Sequence, residues 1–199
     1  MIIKSFRKLK PLQSPGTITN HRNFFFWTWF YNLFNSIDHD RLEKIGPDRN
    51  CAEWILKNGG SVKFKIQNEI ITDYTELPPE ASALANDQLI EIYCKGASIN
   101  DYGFPHFKGC HHISKISFIS CKLIGDTGLE RLQLYLKNSL RHLVIQSCHT
   151  ITDEGILFLT ELRGLQSLSL HDLRGVAEKE KCTVALKGAL KQTQCNINM

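Results

Sequence analysis

At 199 residues the chain has room for one compact domain, or for a short repeat array with a capping unit, and 42% hydrophobic with 22% charged residues rules out disorder as the starting assumption. A formal charge of +4, with no Lys/Arg run interleaved with aromatics in the repeats, leaves no electrostatic footprint for nucleic acid. Seven cysteines, odd in number and without a C-x-x-C pair, fit neither a secreted disulfide frame nor a zinc knuckle and point to a reducing compartment.

Residues 1–37 carry Lys4, Arg7, Lys8, Lys10 and Arg22 and no Asp or Glu. A basic, Ser/Thr-containing, acid-free start without a long apolar run fits a mitochondrial targeting leader over residues 1–22 better than a secretory signal. A disordered basic tail is the alternative. The aromatic run at 24–34 is far short of the roughly 18 apolar residues that a membrane span requires. Within it Trp27, Phe30, Tyr31 and Phe34 share one helical face while Asn32 and Asn35 lie off it, which predicts an amphipathic helix opening an N-terminal cap over residues 23–60.

Ser36-Ile37-Asp38 supplies N-cap chemistry for a short helix through Lys44, and Gly46-Pro47 ends it. Pro47 suits the first turn of a second helix, with Cys51, Trp54 and Ile55 as its apolar face and Gly59 as its left-handed terminator. Alternation of Val62, Phe64 and Ile66 with lysines and Gln67 predicts the opening strand of an array, and residues 73–79 read as a loop.

The region assigned to the repeats is residues 61–199, and within it the chain repeats itself. Ser120-Cys121-x-x-Ile124-x-Asp126-x-Gly128 returns 27 residues later as Ser147-Cys148-x-x-Ile151-x-Asp153-x-Gly155, each copy preceded by apolar residues at L-x-x-L-x-L spacing. Similar spacing surrounds Leu89 to Ile92 and Leu165 to Leu170. The predicted fold class is α/β, a short leucine-rich repeat solenoid of the cysteine-containing type with an N-terminal helical cap. Cys94, Cys121 and Cys148 read as a core ladder, Asp126 and Asp153 as caps of the convex helices, and Gly128 and Gly155 as room for close packing. Residues between the inward positions select a concave partner-binding face: Glu91, Tyr93, Lys115, Ser117, Arg141, His142, Val144, Gln146, Ser167, Ser169 and His171. Tyr93 and Arg141 are residue types that dominate interface energies, and Lys115, Arg141 and His142 suit an acidic partner. No phosphate loop, H-E-x-x-H helix or nucleophile elbow is present, and adjacent His111-His112 read as a surface turn, so the expectation is a binding protein rather than an enzyme.

Phe26-Trp27-x-Trp29-x-x-x-x-Phe34-Asn35, Asp38-x-Asp40-Arg41, Gly46-Pro47-Asp48-Arg49, Glu53-Trp54-x-Leu56 and Asp73-Tyr74, together with the cysteine-type repeats, closely resemble the mitochondrial ATP synthase subunit s (coupling factor B) family over about residues 26–191. The resemblance implies a non-catalytic, peripheral protein on the matrix side of the inner membrane, imported with a cleaved leader. It implies regulation of ATP synthase by blocking proton leak through the membrane sector, while a related branch implies assembly of the distal membrane arm of respiratory complex I. It also implies a magnesium site where cap meets repeats, at Gly59 and at the position held here by Lys95, where only a backbone carbonyl is left to serve as ligand. The family's C-x-C thiol pair is replaced by Ile119-Ser120-Cys121, so dithiol chemistry does not carry over. From the repeats alone, a cytosolic ubiquitin-ligase adaptor is the competing reading. No organic cofactor or small-molecule substrate is expected.

Overall fold

A computed structural model describes residues 32–82 and 87–199. The expected leader and most of the aromatic stripe fall outside these residues. Residues 32–35 are helical and lead into α1 (His39–Ile45) and α2 (Pro47–Lys57). Asp38 caps α1 by accepting from Arg41 N at 3.0 Å, and Gly46 ends it at φ +77°. Pro47 occupies the first turn of α2, and Gly59, at φ +83°, turns the chain out of it.

The sheet has seven strands: β1 (Ser61–Phe64), β2 (Ile70–Ile71), β3 (Leu89–Lys95), β4 (Lys115–Ile119), β5 (His142–Gln146), β6 (Ser167–His171) and β7 (Gln194–Asn198). Their spatial order is β2-β1-β3-β4-β5-β6-β7. From β3 to β7 all pairs are parallel and in step, so Ile92, Ile116, Leu143, Leu168 and Cys195 share one row. The connections run over one face as a 3-10 turn (Asp101–Phe107) and helices α3 (Asp126–Leu136), α4 (Asp153–Phe158) and α5 (Lys179–Ala189). The architecture is therefore α/β with a mostly parallel sheet covered by helices on one side, the core lying between them.

Several expectations change. The opening strand is antiparallel to β3 rather than a first parallel unit, and it stops at Phe64. Ile66 stands 69% exposed in a turn because the Asp87 carboxylate accepts from the Ile66 and Gln67 amides and bends the chain away. Within 73–79 lies a 3-10 turn, Tyr74–Glu76, closed by a capping box between Asp73 and Glu76. Helix α5 and strand β7 continue the stack beyond the last apolar signal legible in the sequence. The cysteine ladder also shifts: Cys94 pairs in register with Phe118, so Ala97, not Cys94, occupies the place of Cys121 and Cys148. Cys121 and Cys148 are buried with their thiols against carbonyls of the preceding strand, Cys94 O at 3.4 Å and Phe118 O at 3.8 Å.

The D-x-G repeat acts between layers rather than within one. The residue capping α3 is Gly125 and that capping α4 is Thr152, which places Asp126 and Asp153 one position inside their helices, with carboxylates reaching onward. Asp126 accepts from Thr152 N (2.8 Å) and Thr152 Oγ1 (2.6 Å), and Asp153 from Glu178 N (2.8 Å). In the preceding layer Asp101 accepts from Gly125 N at 2.7 Å. Gly128 and Gly155 allow this approach: a Cβ at Gly128 would lie 2.5 Å from an Asp101 oxygen, and one at Gly155 closer still to Asp126. At the end of each strand the turn demands a left-handed residue, and Gly96, Ser120, Ser147 and Asp172 adopt φ of 64°, 54°, 52° and 47° at equivalent positions.

Asn35, predicted off the apolar stripe, is completely buried. Its Oδ1 accepts from Trp54 Nε1 (3.0 Å) and Asn100 N (3.2 Å), and its Nδ2 donates to Ser98 O (3.3 Å) and Asn58 Oδ1 (3.4 Å). One side chain thus ties residues 32–35 to α2 and to the layer after β3. Glu53, 2% exposed, performs the second fastening: Arg41 donates to both its oxygens (2.6 and 3.2 Å), Arg49 lies at 3.4 Å, and Arg41 also reaches Glu80 at 2.6 Å. Trp54 packs edge-on against Phe104 and Phe107 and stacks on His106 at 4.9 Å.

Candidate partner-binding face

The face of the sheet opposite the helices is lined by alternate strand residues, whose direction follows from the pleat. Register places Lys63, Glu91, Lys115, His142, Ser167 and Gln194 in one row, and Ser61, Tyr93, Ser117, Val144, Ser169 and Asn196 in the next. A third holds Lys95, Ile119, Gln146, His171 and Asn198. The expected residues Tyr93, Lys115, His142, Gln146 and His171 therefore share one surface.

Two kinds of chemistry divide it. Around β1, β3 and β4 the Tyr93 hydroxyl donates to Glu91 and accepts from Lys115 Nζ at 3.1 Å. Lys115 lies 3.4 Å from Glu91 and 5.0 Å from the Tyr93 ring centre, and Lys63 is 3.7 Å from Glu91. Burial pushes the Glu91 carboxyl up, but the Tyr93 hydroxyl and the two lysines outweigh it and hold it below the usual range. Burial, reinforced by Glu91, raises the Tyr93 phenol, and the bond to that phenol raises Lys115. Glu91 and Lys115 are thus held in their charged forms and Tyr93 in its neutral one. Over β5 and β6 the groups are uncharged or histidine: His142 Nδ1 is 2.8 Å from Ser167 Oγ, and Ser169 Oγ is 2.9 Å from His171 Nε2.

Arg141 is not part of this face. It precedes β5, and its guanidinium donates to Leu140 O (3.1 Å) and Asn138 O (2.9 Å) against Gly164, where any Cβ would lie 2.6 Å from Nη1. Its side chain serves the loops before β5 and β6. Ser117 is buried, and His111 and His112 are exposed in a turn.

Gly59 and Lys95 lie near one end of the β1–β3 pairing, which closes at Ser61 and Tyr93, and Ser98 N donates to Asn58 O at 2.9 Å nearby. At position 95 the side chain offers no oxygen, so the ligands left for magnesium are the backbone carbonyls of Gly59 and Lys95. The carbonyls of Trp54, Ile55 and Leu56 are already taken by the Asn58, Gly60 and Gly59 amides, and the side chain at 95 is an ammonium. Among the described residues no group of three or more His, Cys, Asp or Glu gathers around a common point. Gly59 serves as a helix terminator.

The chain is an α/β protein whose mostly parallel sheet carries helices on one face and leaves the other open. No protein-family model matches the chain. It is 36% identical over 177 residues to the protein named ATP synthase subunit s, mitochondrial, of Bos taurus, the match covering 88% of each. The Homo sapiens protein of that name is likewise 36% identical and that of Mus musculus 34%, with the same coverage. The chain belongs to the mitochondrial ATP synthase subunit s family.

Proposed function

We propose that this chain is a non-catalytic mitochondrial factor, peripheral to the matrix side of the inner membrane, that docks on ATP synthase and sustains its proton coupling. Family membership supports the client and the compartment. The in-step parallel strands with one helix-covered and one open face read as a short leucine-rich repeat array, the kind of scaffold that presents a binding surface. No helix among the described residues is long and apolar enough to cross a membrane, which suits peripheral association.

The observation that carries the docking surface is the Tyr93–Glu91–Lys115 cluster, already ordered before any partner arrives. An aromatic ring and cation held in place lose little conformational entropy on binding, the condition under which few contacts give useful affinity. Crosslinking in intact mitochondria tests this. The full chain should label ATP synthase membrane-sector subunits, and Tyr93→Ala with Lys115→Glu should lower that labelling at least about tenfold. Dominant labelling of complex I, or recovery of ubiquitin-ligase subunits from the cytosol, overturns it.

A further inference from the structure

The two rims of the stack differ in what their charges do. Along the rim where strands end and helices begin, carboxylates work inside the fold: Asp101, Asp126 and Asp153 latch each layer to the next, and Asp172 accepts from Ser147 Oγ at 2.9 Å and Arg174 Nε at 3.1 Å. Along the rim where the chain returns to the strands, the charges are cations: Lys108 before β4, Lys137 and Arg141 before β5, Arg163 before β6 and Lys191 before β7. In these return loops, residues 108–114, 137–141, 161–166 and 190–193, Glu161 is the one acid. Lys108, Lys137, Arg163 and Lys191 are exposed, and apart from Arg163, 3.9 Å from Glu161, none of the five has a carboxylate partner among the described residues. The layer of β3 ends the row, because Asp48 and Asp87 stand there and accept from the Leu89 and Ile66 amides.

Carbonyls at a helix end favour a nearby cation by about 0.3 to 1 kcal/mol, which accounts for Lys137 after α3 and Lys191 after α5. It does not account for the hollow between two layers. A space of about 570 Å³ is lined by Lys137, Asn138, Arg141, Glu161, Arg163 and Gly164, so three cations from successive layers surround it, an arrangement whose mutual repulsion does nothing for the fold. Arg141 is already aimed: two of its five donors go to Leu140 O and Asn138 O, and the missing side chain of Gly164 leaves room for Nη1. We infer that this rim receives an acidic helix of a partner protein, laid across the layers with one carboxylate entering the hollow. In-step strands repeat about every 4.8 Å, and carboxylates at i, i+3 or i+4 and i+7 of a helix stand about 5 to 6 Å apart, so one acidic face meets about one layer per turn. The return loops expose no large apolar side chain for a bilayer to take up, which favours a protein over a lipid surface. The rim is a second contact, and it does not rest on the docking of the open face.

Zero-length carbodiimide crosslinking in opened mitochondria that hold the full chain is the test, because it joins a lysine only to a carboxylate in contact with it. Lys108, Lys137 and Lys191 should be joined to Asp or Glu residues of one partner, spaced three, four or seven apart within one segment. Lys137→Glu combined with Arg163→Glu, both exposed and outside the core, should leave the unfolding midpoint in place yet lower the links at the unaltered Lys108 and Lys191 by about tenfold or more. Lys122→Glu, exposed on the opposite rim, should not. Links scattered over unrelated proteins, links indifferent to the double change, or no partner link at all overturn the proposal. So does flotation of the purified chain with vesicles containing about one-third phosphatidylglycerol, if the double change abolishes it, because the rim would then serve a lipid surface. Each of these results leaves the test at Tyr93 and Lys115 standing, since that one reads residues of the open face.

Discussion

Where α1 and α2 cover the sheet near β1 and β3, buried polar side chains close the layer: Glu53 gathers Arg41 and Arg49, and Asn35 gathers Trp54, Asn58, Ser98 and the Asn100 amide. Between β4 and β7 the layers are joined by small residues at repeated positions, with Gly128 and Gly155 admitting Asp101 and Asp126 and cysteine thiols lying against strand carbonyls. The cap is thus specified by partners that occur once, and the stack by a geometry that each layer reuses. A lost cap contact has no copy elsewhere, whereas a stack residue has an equivalent one layer on. Mutations should therefore fall into two classes of severity.

The largest effect is expected at Glu53. Glu53→Gln keeps the volume but leaves the buried Arg49 guanidinium without its counter-charge and Arg41 with Glu80 alone. Removing one partner of a buried ion network costs about 3 to 5 kcal/mol, and urea unfolding should show a loss of that order. Lys44→Ala, which deletes only the exposed contact to Glu80, should cost less than about 0.5 kcal/mol. Equal losses from the two would break the comparison.

His106 gives the cap a pH signature. Burial against Trp54 pushes its imidazole down from 6.5 to about 4, and Nδ1 is engaged with Asn50 at 2.8 Å. The folded state therefore binds fewer protons than the unfolded chain between these values. Stability is intact above pH 6.5 and falls by about 3 kcal/mol as pH drops to about 4. His106→Gln should flatten this limb in acid titration of the unfolding midpoint.

The repeat was legible because its signals are local. Inward apolar residues, the cysteine turn and the D-x-G spacing recur in register, so one chain supplies its own comparison. The cap was legible only in its helix ends, Asp38, Gly46-Pro47 and Gly59, where backbone chemistry is decided within a few residues. Asn35 was not, because its partners at 54, 58, 98 and 100 meet only after the cap folds onto the sheet. Arg141 was misplaced for a related reason: one position before the strand begins, its direction is set by Gly164 rather than by the pleat. On the open sheet face, strand alternation placed Tyr93, Lys115, His142, Gln146 and His171 together, but nothing in the spacing showed that Glu91 binds Tyr93 and Lys115 into one cluster. β7 escaped notice because Cys195 and Ile197 supply too short an apolar alternation.

Gly155→Ala tests the latch between layers. Its methyl group would collide with an Asp126 oxygen that also holds Thr152, so either the helix shifts or that bond breaks. Overpacking of this kind costs about 1 to 3 kcal/mol. The double variant with Asp126→Ala should cost less than the sum of the two single changes, because the second substitution removes the atom that the first one strikes.

The smallest effect has the opposite sign. Ser120 holds φ 54° at the turn where Gly96 holds 64°, and its side chain offers no obvious return, whereas the Ser147 hydroxyl donates to Asp172 at 2.9 Å. A left-handed L-residue costs about 1 to 2 kcal/mol, and glycine relieves that while adding about 0.4 to 1 kcal/mol of unfolded-chain entropy. Ser120→Gly should therefore stabilise by about 0.5 kcal/mol, and Ser147→Gly should come out near neutral because it also gives up its hydrogen bond. Gly96→Ala should lose about 1 kcal/mol at the equivalent turn. If all three changes moved stability in the same direction, the turns would not be equivalent, and the picture of one geometry reused in every layer would fail at its most regular point.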